Sequence, residues 1–146
     1  KVMQNLTKKE NNQKIDLVKV VSLLIHAAKI DEKYTEKEKQ LIKEFILKFS
    51  NNSNESVTEE NILDILNKAE DFEKNSNQIL EFTREVKKVD LKLKKLVLQT
   101  LWQIVLSDNK AGIYESNLMR RICGLLYIPD KLSGEIKSSI LDIIKK

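Results

Sequence analysis

The residues best suited to chemistry lie in two short acidic stretches. In the first, Asp31 is followed seven residues later by Glu38; in the second, Asp108 is followed at the same spacing by Glu115. Carboxylate oxygens are hard donors, so these four can make one or two sites for a divalent cation such as Ca²⁺ or Mg²⁺. They do not make an EF-hand loop. That loop needs oxygen ligands at its third and fifth positions and a glycine at its sixth. Here those places hold Lys33, Thr35 and Glu36, then Lys110, Gly112 and Ile113. Lys33 and Lys110 also put positive charge where a cation would sit.

The same carboxylates have a structural reading. Thr35-Glu36-Lys37-Glu38 has the pattern of a capping box, in which threonine caps a helix and glutamate bonds back to its amide. Asp31 and Asp108 suit the ends of turns, and acidic side chains interact well with a helix N-terminus. On the sequence alone, ligands and caps both stand.

Other reactive residue types are sparse. His26 is the single histidine, on an apolar stretch five residues before Asp31, and is expected to be a satisfied core or interface side chain. Cys123 lies within Ile122-Cys123-Gly124-Leu125-Leu126, which predicts a buried thiol; as the single cysteine it has no internal disulfide partner. No serine or cysteine has a base at a spacing that suggests nucleophilic catalysis. Lysines 87, 88, 92, 94 and 95 straddle a helix junction and read as a solvated face.

All but three of the 26 basic residues are lysine, the exceptions being Arg84, Arg120 and Arg121. Nucleic-acid surfaces favour arginine forks with interleaved aromatics, so no nucleic-acid partner is expected. With 146 residues, 3 Gly and 1 Pro, the chain has too few turn residues for a β-rich fold, and helices are expected.

Apolar periodicity locates the helices. Residues 15–30 are apolar nearly all round, as a central helix should be, and too closely flanked by charge to span a membrane. Leu41, Ile42, Phe45, Ile46 and Phe49 mark a one-sided helix. Thr58 opens another, Asn77 a short one, and Asp90 a second strongly apolar one from Leu93 to Val105. Leu118 to Leu126 follows, Pro129 breaks the pattern, and a last helix carries Leu132, Ile136, Ile140 and Ile143. The expectation is one all-α domain of about seven helices over 15–146, with 1–14 an N-terminal extension or the start of the first helix.

Shifted by 77 residues, the chain aligns 20–49 with 97–126. Val20 meets Val97, Leu24 meets Leu101, Asp31 meets Asp108, Glu38 meets Glu115 and Leu41 meets Leu118. Phe45, Ile46 and Phe49 meet Ile122, Cys123 and Leu126. Each unit reads as a buried helix, a loop opening on Asp, and an amphipathic helix. Two such hairpins should pack their most apolar helices together.

These stretches carry a family resemblance. Asp31-Glu32-Lys33-Tyr34-Thr35-Glu36-Lys37-Glu38 resembles the acidic loop of tellurite-resistance TerB-like proteins. So do Leu101-Trp102-Gln103-Ile104-Val105-Leu106-Ser107-Asp108, Tyr114-Glu115 and Met119-Arg120-Arg121-Ile122-Cys123-Gly124-Leu125-Leu126-Tyr127-Ile128. Phe82-Thr83-Arg84 is similar to the uncharacterised TerB-like branch. The resemblance covers roughly residues 15–137. It implies an all-helical fold, acidic loops suggested to bind metal, and a cytoplasmic or membrane-peripheral role in tellurite resistance or stress. It implies no enzymatic activity. One departure is that Glu32 and Asn109 stand where the family favours glycine after the loop aspartate.

The functional expectation is therefore a non-enzymatic domain that binds protein partners and responds to a divalent metal held by Asp31, Glu38, Asp108 and Glu115. Two alternatives are a small metal-dependent enzyme using those carboxylates around one cleft, and a metal-free helical scaffold.

Overall fold

From Leu17 to Ala28 the first apolar stretch forms helix α1, with Val20 to Ile25, Ala27 and Ala28 all buried. The β-branched residues here are mediocre helix formers, so burial rather than propensity holds this helix. The computed structural model describes residues 16–29, 34–52, 57–76, 79–107 and 113–145. After α1 come α2 (Glu36–Asn52), α3 (Glu59–Asn75), α4 (Ile79–Val86), α5 (Leu91–Val105), α6 (Ile113–Leu125) and α7 (Asp130–Lys145). The described residues contain no strand.

Helix starts follow their side chains. The Thr58 hydroxyl accepts from the Asn61 amide at 3.2 Å, and the Asp90 carboxylate accepts from the Leu93 amide at 3.0 Å. Each satisfies an amide that the first turn leaves without a partner. Pro129, with its fixed φ and no amide hydrogen, precedes α7, and its carbonyl accepts from the Ser133 amide. Asn77 and residues 1–15, including the expected extension over 1–14, lie outside the described residues.

α1 is surrounded by α3, α4 and α5. The two most apolar helices do pack together, as the duplication implies, but α3 and α4 are the larger neighbours of α1. Equivalent positions are equivalently buried: Val20 with Val97, Leu24 with Leu101, Phe45 with Ile122, Ile46 with Cys123. Each such aliphatic or aromatic side chain contributes roughly 1.5–3 kcal/mol on leaving water. On the far side of α5, the indole of Trp102 donates to Ser133 Oγ at 3.2 Å, and the Cys123 thiol donates to the same oxygen at 3.4 Å. That group fixes α7 over α5 and α6. Cys123 is buried, as expected, and burial pushes its thiol pKa up, which disfavours the thiolate.

α6 ends in a Schellman motif. The Ile128 amide bonds the Cys123 carbonyl at 2.9 Å and the Tyr127 amide bonds the Gly124 carbonyl at 3.3 Å. The residue at the left-handed position is usually glycine; here it is Tyr127, with φ 57° and 81% of its surface exposed. The left-handed backbone costs a side chain about 1–2 kcal/mol. Lys87 Nζ, 5.3 Å from the ring centroid, returns about 0.5 kcal/mol. Tyr127→Gly is therefore expected to raise the unfolding free energy in urea by about 0.5–1 kcal/mol. A loss of stability would show that the ring is worth more than the strain it sits in.

Candidate functional site

The end of α1 and the start of α2 flank the first acidic loop. The capping box is formed: the Thr35 amide donates to Glu38 Oε1 at 2.8 Å, and the Glu38 amide donates to Thr35 Oγ1 at 3.2 Å. The Thr35 hydroxyl also donates to Glu38 Oε1, at 3.1 Å, so one carboxylate oxygen takes two hydrogen bonds. Glu38 is buried, and its carboxylate turns back towards the loop. Of the other three expected ligands, Asp31 and Asp108 lie outside the described residues. Glu115 stands in the first turn of α6, with its side chain outside them.

One contact joins the described borders of the two acidic stretches. Lys37 Nζ, in the first turn of α2, donates to the Ser107 carbonyl at 3.1 Å. Ser107 immediately precedes Asp108, so the start of α2 reaches the residue that leads into the second acidic stretch.

A second group of polar side chains clamps α1 to α3 beside the first loop. Lys29 Nζ donates to Glu73 Oε1 at 2.8 Å, and His26 Nδ1 lies 3.2 Å from Glu73 Oε2. Glu73 is 8% exposed, so its charge is withdrawn from water and compensated by two partners at once. The His26 ring also packs on Phe82 of α4, with centroids 5.6 Å apart. His26 is thus a satisfied interface side chain, as expected. Nearby, the Tyr34 hydroxyl donates to Glu70 Oε2 at 2.8 Å, and Lys39 sits over the Tyr34 ring at 5.0 Å. Burial, then the hydrogen bond to Glu70 and its charge, push the Tyr34 phenol well above its usual range. Lys29, Tyr34, Lys39 and Glu70, with Asn67, Asp71 and Lys74, line a cleft of about 360 Å³.

Sequence reasoning did not single out Glu70 and Glu73. A signal was present for Glu73. Ile62, Leu66, Ala69 and Glu73 recur at helical spacing, so the glutamate continues the inward stripe of α3 and must meet a partner there. Its partners lie 44 and 47 residues away, which periodicity does not reveal.

The arrangement is built for holding helices and balancing charge. Among the described residues, no three of His, Cys, Asp and Glu converge as a metal-binding group. The junction lysines are largely engaged: Lys88 pairs with Glu85, Lys87 with the Tyr127 ring, and Lys94 with the Leu126 carbonyl. No helix among the described residues is long and apolar enough to cross a membrane.

The family model described as tellurite resistance protein TerB matches residues 17–138. The chain belongs to the TerB tellurite resistance family. That span runs from the first residue of α1 well into α7, so the TerB match takes in both hairpins and the α3–α4 insertion between them. No curated protein and no solved structure matches the chain.

The Glu38 geometry makes a specific prediction. Glu38→Ala removes the acceptor of two hydrogen bonds and is expected to cost about 0.5–1 kcal/mol in ion-free urea unfolding. Glu38→Gln retains an oxygen at the same place and should cost less than half as much. Equal losses in the two variants would mean that the charge, not the capping geometry, is what the fold uses.

Proposed function

We infer that this TerB-family domain is a non-enzymatic, cytoplasmic interaction module of tellurite resistance or stress response, whose two acidic loops together respond to Ca²⁺ or Mg²⁺. The observation that carries this reading is the Lys37–Ser107 contact, which brings the borders of both loops to one end of the domain. Asp31, Glu38, Asp108 and Glu115 would be the ligands. Carboxylate oxygens suit a hard cation, and Glu38 already faces its loop. The cation would neutralise the acidic loops and tie them to each other, changing the surface offered to a partner. Partner binding would then depend on ion concentration without any bond in the ion's neighbourhood being made or broken.

A metal-free scaffold is the second reading, favoured by the capping contacts of Glu38 and by the Lys37 ammonium at the same end. Thermal unfolding separates the two. A ligand that binds only the native state stabilises it by about 2.7 kcal/mol at a concentration 100 times its Kd. Millimolar Ca²⁺ or Mg²⁺ should raise the Tm of the wild type by several degrees. Glu38→Gln and Glu115→Gln should lose that response while keeping their ion-free Tm. A wild-type melting curve unmoved by Ca²⁺, Mg²⁺, Mn²⁺ and Zn²⁺ would establish the scaffold reading instead.

A further inference from the structure

The two halves of the duplication are not equally covered. On α1, the stripe Lys19, Ser22, His26 and Lys29 runs along α3, with Ser22 buried and the other three half-buried. Lys19 sits over the Phe72 ring at 5.9 Å, Ser22 Oγ donates to the Ala69 carbonyl at 3.1 Å, and His26 and Lys29 meet Glu73. Shifted by 77 residues, the same stripe on α5 is Leu96, Gln99, Gln103 and Leu106. All four of these line a groove instead. Its walls are α2 on one side and α7 on the other, and two cavities of about 410 and 320 Å³ share Gln103, Ile140 and Ile143. Ser22 is buried, whereas its counterpart Gln99 is exposed.

Size and chemistry define what fits. From Lys95 to Leu106 the groove follows about three turns of α5, roughly 16 Å at a rise of about 1.5 Å per residue. That is the contact length of a short helix. Ile136 and Ile140 give it an apolar wall, and Ile143, at 68% exposure, stands open at its edge. Lys37, Lys48 and Lys95 line it and are exposed, against Glu135 as the acidic lining residue. The rim is therefore positive. The residues ahead of α1 carry Lys1, Lys8, Lys9 and Lys14 against Glu10 and Asp16, a net positive charge like that of the rim, so they do not complement it. The helix seated on the equivalent stripe does have the opposite character. α3 presents Ile62, Ile65, Leu66, Ala69 and Phe72 inwards and carries Glu59, Glu60, Asp64, Glu70 and Asp71 besides.

We propose that the groove between α2 and α7, floored by α5, seats an acidic amphipathic helix of a protein partner, in the position that α3 occupies on α1. The proposal rests on the reading of this domain as an interaction module and names the partner's chemistry. It does not rest on the acidic loops binding an ion. Apolar residues of the incoming helix at a spacing of three and four would lie against the half-buried Leu96 and Leu132 and the exposed Ile143, and its carboxylates would face the three lysines. Gln99 and Gln103 would supply polar contacts at the centre, where charge complementarity sets orientation and specificity.

The probe is a fluorescein-labelled peptide of residues 59–75, titrated with the full chain in ion-free buffer and followed by anisotropy. Saturable binding is expected, weakened about tenfold or more in the Lys37→Glu, Lys48→Glu, Lys95→Glu triple variant, where three exposed ion pairs turn repulsive. Gln103→Trp, which fills the middle of the groove, should abolish binding; circular dichroism checks that it remains folded. A peptide with the acidic residues replaced by lysine should not bind. Absence of saturable binding by the acidic peptide would overturn the proposal. So would binding indifferent to the triple variant, which would mean that the peptide displaces α3 from its own seat. Sedimentation showing that the chain dimerises through Gln103 and Ile143 would assign the groove to a second copy and also overturn it. None of these outcomes bears on ion-dependent melting, so the groove and the acidic loops succeed or fail separately.

Discussion

A helix that is apolar nearly all round must be surrounded, and that requirement on α1 organises the domain. Three neighbours, α3, α4 and α5, are needed to remove it from water. Close packing of its Val, Leu and Ile side chains leaves little room for a buried charge without a partner. Glu73 meets that condition where α3 crosses the end of α1, with Lys29 and His26 supplying its compensation. Breaking one partner of such a group is costly because the other charge stays behind. The polar clamp therefore sets how α3 sits on α1, while apolar burial supplies most of the energy. Glu85 does similar work at the other end, accepting from the Asp16 amide at 3.2 Å and so joining the start of α1 to α4.

Much of this was legible in the sequence because it is local or periodic. The apolar runs over 15–30 and 93–105 read directly as the two most buried helices. Thr58, Asp90 and the Thr35–Glu38 box announced helix starts through spacing alone, and the shift of 77 residues matched buried position to buried position. Less was legible where two distant segments must meet. The stripe of Ile62, Leu66 and Ala69 showed that Glu73 faces inward, but not that His26 and Lys29 wait for it. Tyr127 in a left-handed cap was invisible as well, since the motif normally announces itself by glycine. Of the candidate site, Glu38 could be read as a cap from its spacing. The contact of Lys37 with the Ser107 carbonyl depends on how α2 lies along α5, which no local pattern encodes.

The duplication matters most where it fails. Both hairpins bury the same positions, yet Ser22 is buried against α3 whereas its counterpart Gln99 is exposed in the groove between α2 and α7. That groove is the seat proposed for a partner helix. Lys37 both bonds the Ser107 carbonyl, next to the second acidic stretch, and lines the groove wall. A change in charge at the loops would therefore be felt at the rim of the groove, which gives a physical route from an ion to a partner.

All of this assumes that α1 and α5 form one cooperative core to which the loops and the groove are attached. Native-state hydrogen exchange measures that directly, because each amide reports the smallest opening that exposes it. The account predicts that the amides of Val20–Ala28 and Leu98–Val105 exchange only through global unfolding, with the same free energy and the same denaturant dependence. Exchange of the α1 amides through a smaller opening, with α5 still protected, would contradict it and show that the first hairpin and its clamp on α3 are not the centre of the fold.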